Sequence, residues 1–145
     1  MSDLYHNLYQ SMKSIYLHLD NGERSLFSKF GLSTSRFNVL RHIQKHPGIS
    51  YIDLSELMLC TKGNTTRIVQ GMLHDSLINR RENPQDRRSF QLFLSTSGEI
   101  LYKEVDTEYQ DYIINLISKL NEDQLELYTE VSHSIEEKLS TAVCS

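Results

Sequence analysis

The chain has 145 residues, 39% of them hydrophobic and 23% charged, and a formal net charge of −4 at pH 7. That length fits one domain with its own core, and no stretch approaches the roughly 20 apolar residues of a membrane helix, so no membrane partner is expected. Two cysteines, Cys60 and Cys144, cannot build a disulfide framework, and "MSDLYHNLYQ" has neither the basic start nor the apolar run of an export leader, which makes a reducing cytoplasm the expected location.

From Asp3 onward, Leu4, Leu8, Met12, Ile15 and Leu19 recur at helical spacing, the stripe of an amphipathic helix expected to end near "DNG". "LSTSRFNVLRHIQKHPG" predicts a second helix, capped by Ser33 or Thr34, with Phe37, Leu40 and Ile43 inward and Pro47 and Gly48 stopping it. Ser50 can cap a short third helix with Leu54 and Leu57 inside. After "CTKG", Thr65, Ile68, Val69, Met72 and Leu73 define the apolar face of a fourth helix. Two short helices about a tight turn containing Gly63 form a helix-turn-helix.

Beyond "HDS" the apolar period changes from the helical to the strand value. Leu77 to Glu82 reads as one strand and Ser89 to Leu94 as another, with Phe90, Leu92 and Leu94 on one face and "ENPQDRR" as the turn. Thr96 and Glu99 fit a capping box, opening a helix with Leu101, Val105, Tyr109, Tyr112, Ile113, Leu116, Ile117 and Leu120 as its apolar surface. Asn121 can cap a last helix with Leu125, Tyr128, Ser132, Ile135 and Leu139 on one face. The expected fold is mainly α with a small β-hairpin wing, a winged helix-turn-helix flanked by long N- and C-terminal helices.

The acidic total conceals a split. Residues 60–91 carry +3 and residues 92–145 carry −8, while residues 1–35 are neutral and residues 36–59 carry +1. Four arginines bracket the turn in "RRENPQDRRSF". Positive charge concentrated on a hairpin beside a helix-turn-helix points to nucleic acid despite the net sign.

On "LSTSRFNVL", "PGIS", "KGNTTRIVQGM" and "DSLINRRENPQDRRSFQLFLSTSGE", with long helices at both ends, the sequence resembles the MarR family of bacterial transcription regulators. The most specific part is the wing's Asp-Arg-Arg followed by a strand and "LSTSGE". The resemblance implies a single MarR-type domain over residues 1–145, with a DNA-binding lobe at about 32–95 and dimerisation helices at about 3–20 and 96–140. It implies a homodimer, most members of the family being repressors that occupy operators in double-stranded DNA. The sequence departs from the family pattern at Gly63, where many members carry Ser or Pro, and at Thr65, where they carry an apolar residue.

With residues 62–76 in a major groove, Asn64, Thr66, Arg67 and Gln70 point outward. Arg can grip guanine with two hydrogen bonds, Asn or Gln can do the same with adenine, and Thr66 can meet a phosphate or a thymine methyl. Lys62, beside the helix start, suits a phosphate contact that positions the protein. By resemblance, Arg88 inserts into the minor groove, Asp86 bonds to it or to the turn, and Arg87 touches phosphate. Strand alternation lets only one of Arg80 and Arg81 face the duplex.

The resemblance also implies a signal, be it a small phenolic or lipophilic effector, thiol oxidation or a metal. The residues select none of these. Cys60 lies near Lys62, but the first helix lacks the cysteine with which oxidation sensors of the family respond. His42 and His46 are spaced i, i+4 without further ligands nearby, so no metal, cofactor or ligand-binding residue is assigned. Tyr5, Tyr9, Tyr16, Tyr109 and Tyr112 read as core and interface packing. No Gly-x-Ser-x-Gly elbow, phosphate-cradling glycine loop or His-Glu-x-x-His occurs, so no catalytic residue is expected. The alternative reading is a winged-helix module for protein contacts, or architectural DNA binding without gene regulation.

Overall fold

The computed structural model describes residues 1–143, which leaves Cys144 outside the described residues. In chain order the elements are α1 (Ser2–Ser28), α2 (Thr34–Lys45), β1 (Ile49–Ser50), α3 (Tyr51–Leu57), α4 (Lys62–His74), β2 (Ile78–Asn83), β3 (Asp86–Leu94), α5 (Thr96–Ile117) and α6 (Leu125–Val143). A 3-10 turn, Glu122–Gln124, precedes α6 and is capped by Asn121, whose Oδ1 accepts from Asp123 N at 3.0 Å. The strands form an antiparallel sheet ordered β1-β3-β2. The architecture is mainly helical with a small antiparallel wing.

Several expected elements shift. Helix α1 does not stop at "DNG" but continues through Gly22 to Ser28. Leu26 and Phe27 prolong the apolar stripe and are buried, and the Phe27 ring stacks on Phe37 with centroids 4.3 Å apart. Burying two such side chains is worth about 1.5–3 kcal/mol each, more than the roughly 1 kcal/mol that a helical glycine costs. Gly31, at φ +68°, then turns the chain toward α2, where Ser33 is the cap and accepts from Arg36 N at 3.2 Å.

Leu57 is exposed rather than inside. The inward row of α3 is Tyr51, Leu54, Ser55 and Met58, at the i, i+3, i+4, i+7 spacing of one helical face, and Leu57 falls off it. Ser55 tolerates burial because its Oγ donates to Ile52 O at 2.7 Å. The third strand, β1, was not expected from sequence. Gly48 at φ +86° bends the chain so that its N–H donates to Leu92 O at 2.8 Å and Ile49 pairs with Leu92.

The cap of α5 is Ser95, one residue before the Thr96 anticipated. Its Oγ accepts from Gly98 N at 3.0 Å and donates to Ser76 O at 2.6 Å, while Ser95 N donates to Leu77 O at 3.1 Å. These bonds clamp the start of α5 to the segment between α4 and β2.

The chain falls into two compact units, Met1–Thr107 and Glu108–Ser145. The first holds a core of Phe27, Phe37, Val39, Leu40, Ile43, Leu54, Val69, Met72, Ile78, Leu92 and Val105, all essentially inaccessible. Tyr102 extends its aromatic stack, 6.0 Å from Phe37 between centroids. In the second unit Tyr109 is buried, but Ile114, Ile117, Leu120, Leu127, Tyr128, Val131 and Leu139 are exposed.

Candidate nucleic-acid interface

Helix α4 begins where the chain can no longer continue α3. Leu59, at φ +52°, breaks the helical run, and Thr61 caps the new helix by accepting from Asn64 N at 3.3 Å. Thr65, Val69 and Met72 are fully buried, and this fixes the helix rotation. Lys62, Gly63, Arg67, Gln70 and Gly71 are exposed, with Asn64 and Thr66 half-buried at the edge. The expected outward face is therefore outward.

Three side chains on that face are already engaged. Arg67 Nη2 donates to Asn64 Oδ1 at 2.9 Å, and Asn64 Nδ2 donates to Cys60 Sγ at 3.7 Å. Thr66 Oγ1 donates to Lys62 O at 2.8 Å, which leaves its methyl group and an acceptor lone pair for any partner. The hydroxyl could reach a phosphate only by releasing that bond.

Arg36 and Asp75 form an ion pair across 39 residues of sequence. It joins the first turn of α2 to the C-terminal end of α4. Each partner opposes its own helix dipole, a cation at an N-terminus and an anion at a C-terminus, so neither reads as favourable locally. Hydrogen bonds from Arg36 first and His74 second hold the Asp75 carboxyl below the usual carboxylate range. Between these elements lies an open groove of about 310 Å³ bordered by Ser33, Ser35, Arg36, Arg67 and Gly71, which makes the outer faces of α2 and α4 one continuous surface.

In the wing, β2 and β3 pair regularly from Ile78↔Leu94 to Glu82↔Phe90, then jump to Asn83↔Asp86. The jump leaves Arg87, Arg88 and Ser89 opposite no β2 residue. Such excess residues bulge from the ladder and re-aim their side chains. The tight turn is only Pro84 and Gln85, with Gln85 N donating to Asn83 Oδ1 at 3.0 Å. Both arginines are thus at the start of β3 rather than within a long loop, and both are exposed. Asp86 Oδ1 accepts from Arg88 N at 3.0 Å, and Ser89 Oγ donates to Asp86 O at 3.1 Å. Asp86 holds the turn, not the Arg88 guanidinium.

Arg80 and Arg81 take opposite faces of β2, as alternation requires. The Arg80 guanidinium lies 4.7 Å from the Phe90 ring centroid and that of Arg81 4.8 Å from Phe93. Phe90 is half-buried beneath Arg80 instead of reaching the core, where Leu92 is the fully enclosed residue of β3.

Elsewhere, burial first, then Arg41, His46 and Lys45, lower the His42 pKa below the ordinary histidine value of about 6.5. Those flanking cations also oppose a metal ion at His42 and His46. Among the described residues no group of three or more His, Cys, Asp or Glu side chains is placed to hold a metal, and no helix is long and apolar enough to cross a membrane.

The model of the MarR family matches residues 32–90, from two residues before α2 into the wing. Over that segment the chain is similar to the MarR family. The curated relatives that it matches are HTH-type transcriptional regulators. The HTH-type transcriptional regulator BilQ of Clostridium symbiosum (strain WAL-14163) is 27% identical over 101 residues, 70% of each chain. The HTH-type transcriptional repressor YetL of Bacillus subtilis (strain 168) is 21% identical over 135 residues, 92% of this chain and 81% of that one. Among solved structures, the MarR family transcription regulator SP03579 superposes with a TM-score of 0.87 at 17% identity, covering 99% of this chain and 95% of its own. A mutant MarR from E. coli complexed with operator DNA gives 0.82 at 19% identity, over 89% and 93%. Similarity at that identity establishes the MarR fold around α4 and the wing.

Proposed function

We propose that this protein is a regulator of the MarR family, a repressor that binds a pseudo-palindromic operator as a homodimer in the cytoplasm. The observation that carries the reading is the pairing of an exposed polar face on α4 with two exposed arginines on the bulge of β3. Arg67 and Gln70 are the base readers in a major groove, Thr66 offers its methyl group, and Lys62 contacts phosphate. Arg88 enters the flanking minor groove, where the potential favours arginine, Arg87 contacts phosphate, and Asp86 sets the turn that carries both. A mutant MarR from E. coli with this fold is complexed with operator DNA, which supports DNA as the partner.

The dimer rests on apolar surface that one chain leaves uncovered. On α1, Leu4 is 71% exposed, Leu8 52% and Ile15 59%, and the second unit has an apolar row of its own. Such a surface marks an interface. A two-fold dimer sets its recognition helices one turn of DNA apart, about 34–36 Å, which requires two half-sites in inverted orientation. A small effector that weakens DNA binding is part of the proposal, with its site unassigned.

Selection of bound duplexes from a randomised pool, followed by titration over a salt series, tests the reading. Recovery of an inverted repeat with a steep salt slope is expected. Equal, salt-insensitive affinity for every duplex favours the protein-contact module, whereas salt-sensitive binding without sequence preference favours an architectural role. Light scattering on the free protein checks the dimer.

A further inference from the structure

Asn64 sits on the outer edge of α4, and its chemistry suits reading adenine. That task needs the amide oxygen and the amide NH₂ aimed together at one base edge. Here both ends are occupied. Arginine has only donors, so the Asn64 atom facing Arg67 Nη2 at 2.9 Å must be the oxygen. The NH₂ then necessarily turns to the other side, where it finds Cys60 Sγ, a weak acceptor, at 3.7 Å. The two contacts fix the amide orientation consistently. Cys60 is itself held by the turn, its N–H donating to Ser55 O at 3.1 Å, and Asn64 N is bound to the Thr61 cap. The amide is tied on one side to the helix-turn-helix turn and on the other to the guanidinium one helical turn further on.

We infer that Asn64 is a positioning residue, not a base reader: it aims the Arg67 guanidinium at its base from a fixed point on the Cys60–Thr61 turn. The inference rests on the reading of α4 as the DNA-reading helix. A long arginine side chain loses much rotamer freedom when it docks, and an acceptor that already restrains it lowers that cost in the complex. One half-buried amide therefore sharpens discrimination at a base it does not touch.

Full-length wild type, Asn64→Ala, Asn64→Asp, Arg67→Ala and the double alanine variant are compared against the tightest duplex from the randomised pool and its single-base-pair substitutions. Thermal melting establishes that each variant is folded. Arg67→Ala should relax preference at one base-pair position by about tenfold or more. Asn64→Ala should relax the same position by a smaller factor and no other, and should add nothing once Arg67 is alanine. Asn64→Asp keeps an oxygen toward Arg67, so it should retain preference at that position while lowering affinity for every duplex through its charge. Loss of preference at a different position in Asn64→Ala, additive with Arg67→Ala, would overturn the inference in favour of direct reading by Asn64. Unchanged specificity in Arg67→Ala would instead remove the reading of α4, and the inference with it.

Discussion

Replacing Gly98 with alanine isolates the clamp that fastens the start of α5 to the segment between α4 and β2. A Cβ on residue 98 would lie 1.9 Å from Leu77 O, 3.0 Å from Leu77 C and 3.4 Å from Ser95 Oγ. The nearest obstacle is backbone, so no rotamer change relieves it. Normal carbon–oxygen contact is near 3.3 Å, and the two segments must separate by more than about 1 Å to restore it. The bond from Ser95 N to Leu77 O is already 3.1 Å long and does not survive that movement, and the Ser95 cap on Gly98 and its bond to Ser76 O are strained with it. Losing two or three bonds near 1 kcal/mol each, offset by somewhat under 1 kcal/mol of helix preference gained by alanine, leaves a net loss of roughly 1–2 kcal/mol. For a protein of this size that lowers Tm by roughly 3–7 °C. Thermal melts at matched protein concentration measure it, because association also moves Tm. Gly71→Ala is the control: nothing lies within 4 Å of its Cβ, and a gain of about 0.5–1 kcal/mol is expected. Gly98→Ala melting at or above wild type would refute the clamp.

Arg88→Ala should weaken binding to the selected operator and reduce the salt slope by about one if a phosphate contact goes with it; unchanged affinity in a gel-shift titration rules out the wing contact. Thr65 is fully buried with a hydroxyl that has no hydrogen-bond partner, so Thr65→Val should raise stability by about 1 kcal/mol, read as a higher urea midpoint with an unaltered slope. A folded-state pKa below 6.5 at His42 means that the unfolded chain takes up its proton first as pH falls. The stability this histidine contributes is therefore present above about pH 6.5 and declines as pH drops toward the lowered value. His42→Gln should flatten the change in urea midpoint between about pH 7.5 and 5.5, and an identical slope in both proteins would contradict the assignment.

Local signals in the sequence determined most of the scaffold. The apolar rows through Phe37, Leu40 and Ile43 and through Thr65, Val69 and Met72, with caps at Ser33, Ser50 and Asn121, are set by residues within a few positions of one another. The basic wing and the outward face of α4 followed from the same short-range patterns. Tertiary structure alone decided what depends on residues far apart. Phe37 drew the end of α1 into the core past a glycine that should have stopped it, and Leu92 gave Ile49 a strand to join. Arg36 and Asp75, each unfavourable in its own helix, become compatible only when α2 meets α4. Gly98 is required by a carbonyl 21 positions earlier, a steric fact that no helix propensity encodes. Asn64 shows the limit most sharply: residue type and outward position suggested a base reader, whereas the geometry committed its amide to Arg67 and Cys60. Periodicity specifies which face a side chain occupies; which partner it meets there depends on contacts the whole fold creates.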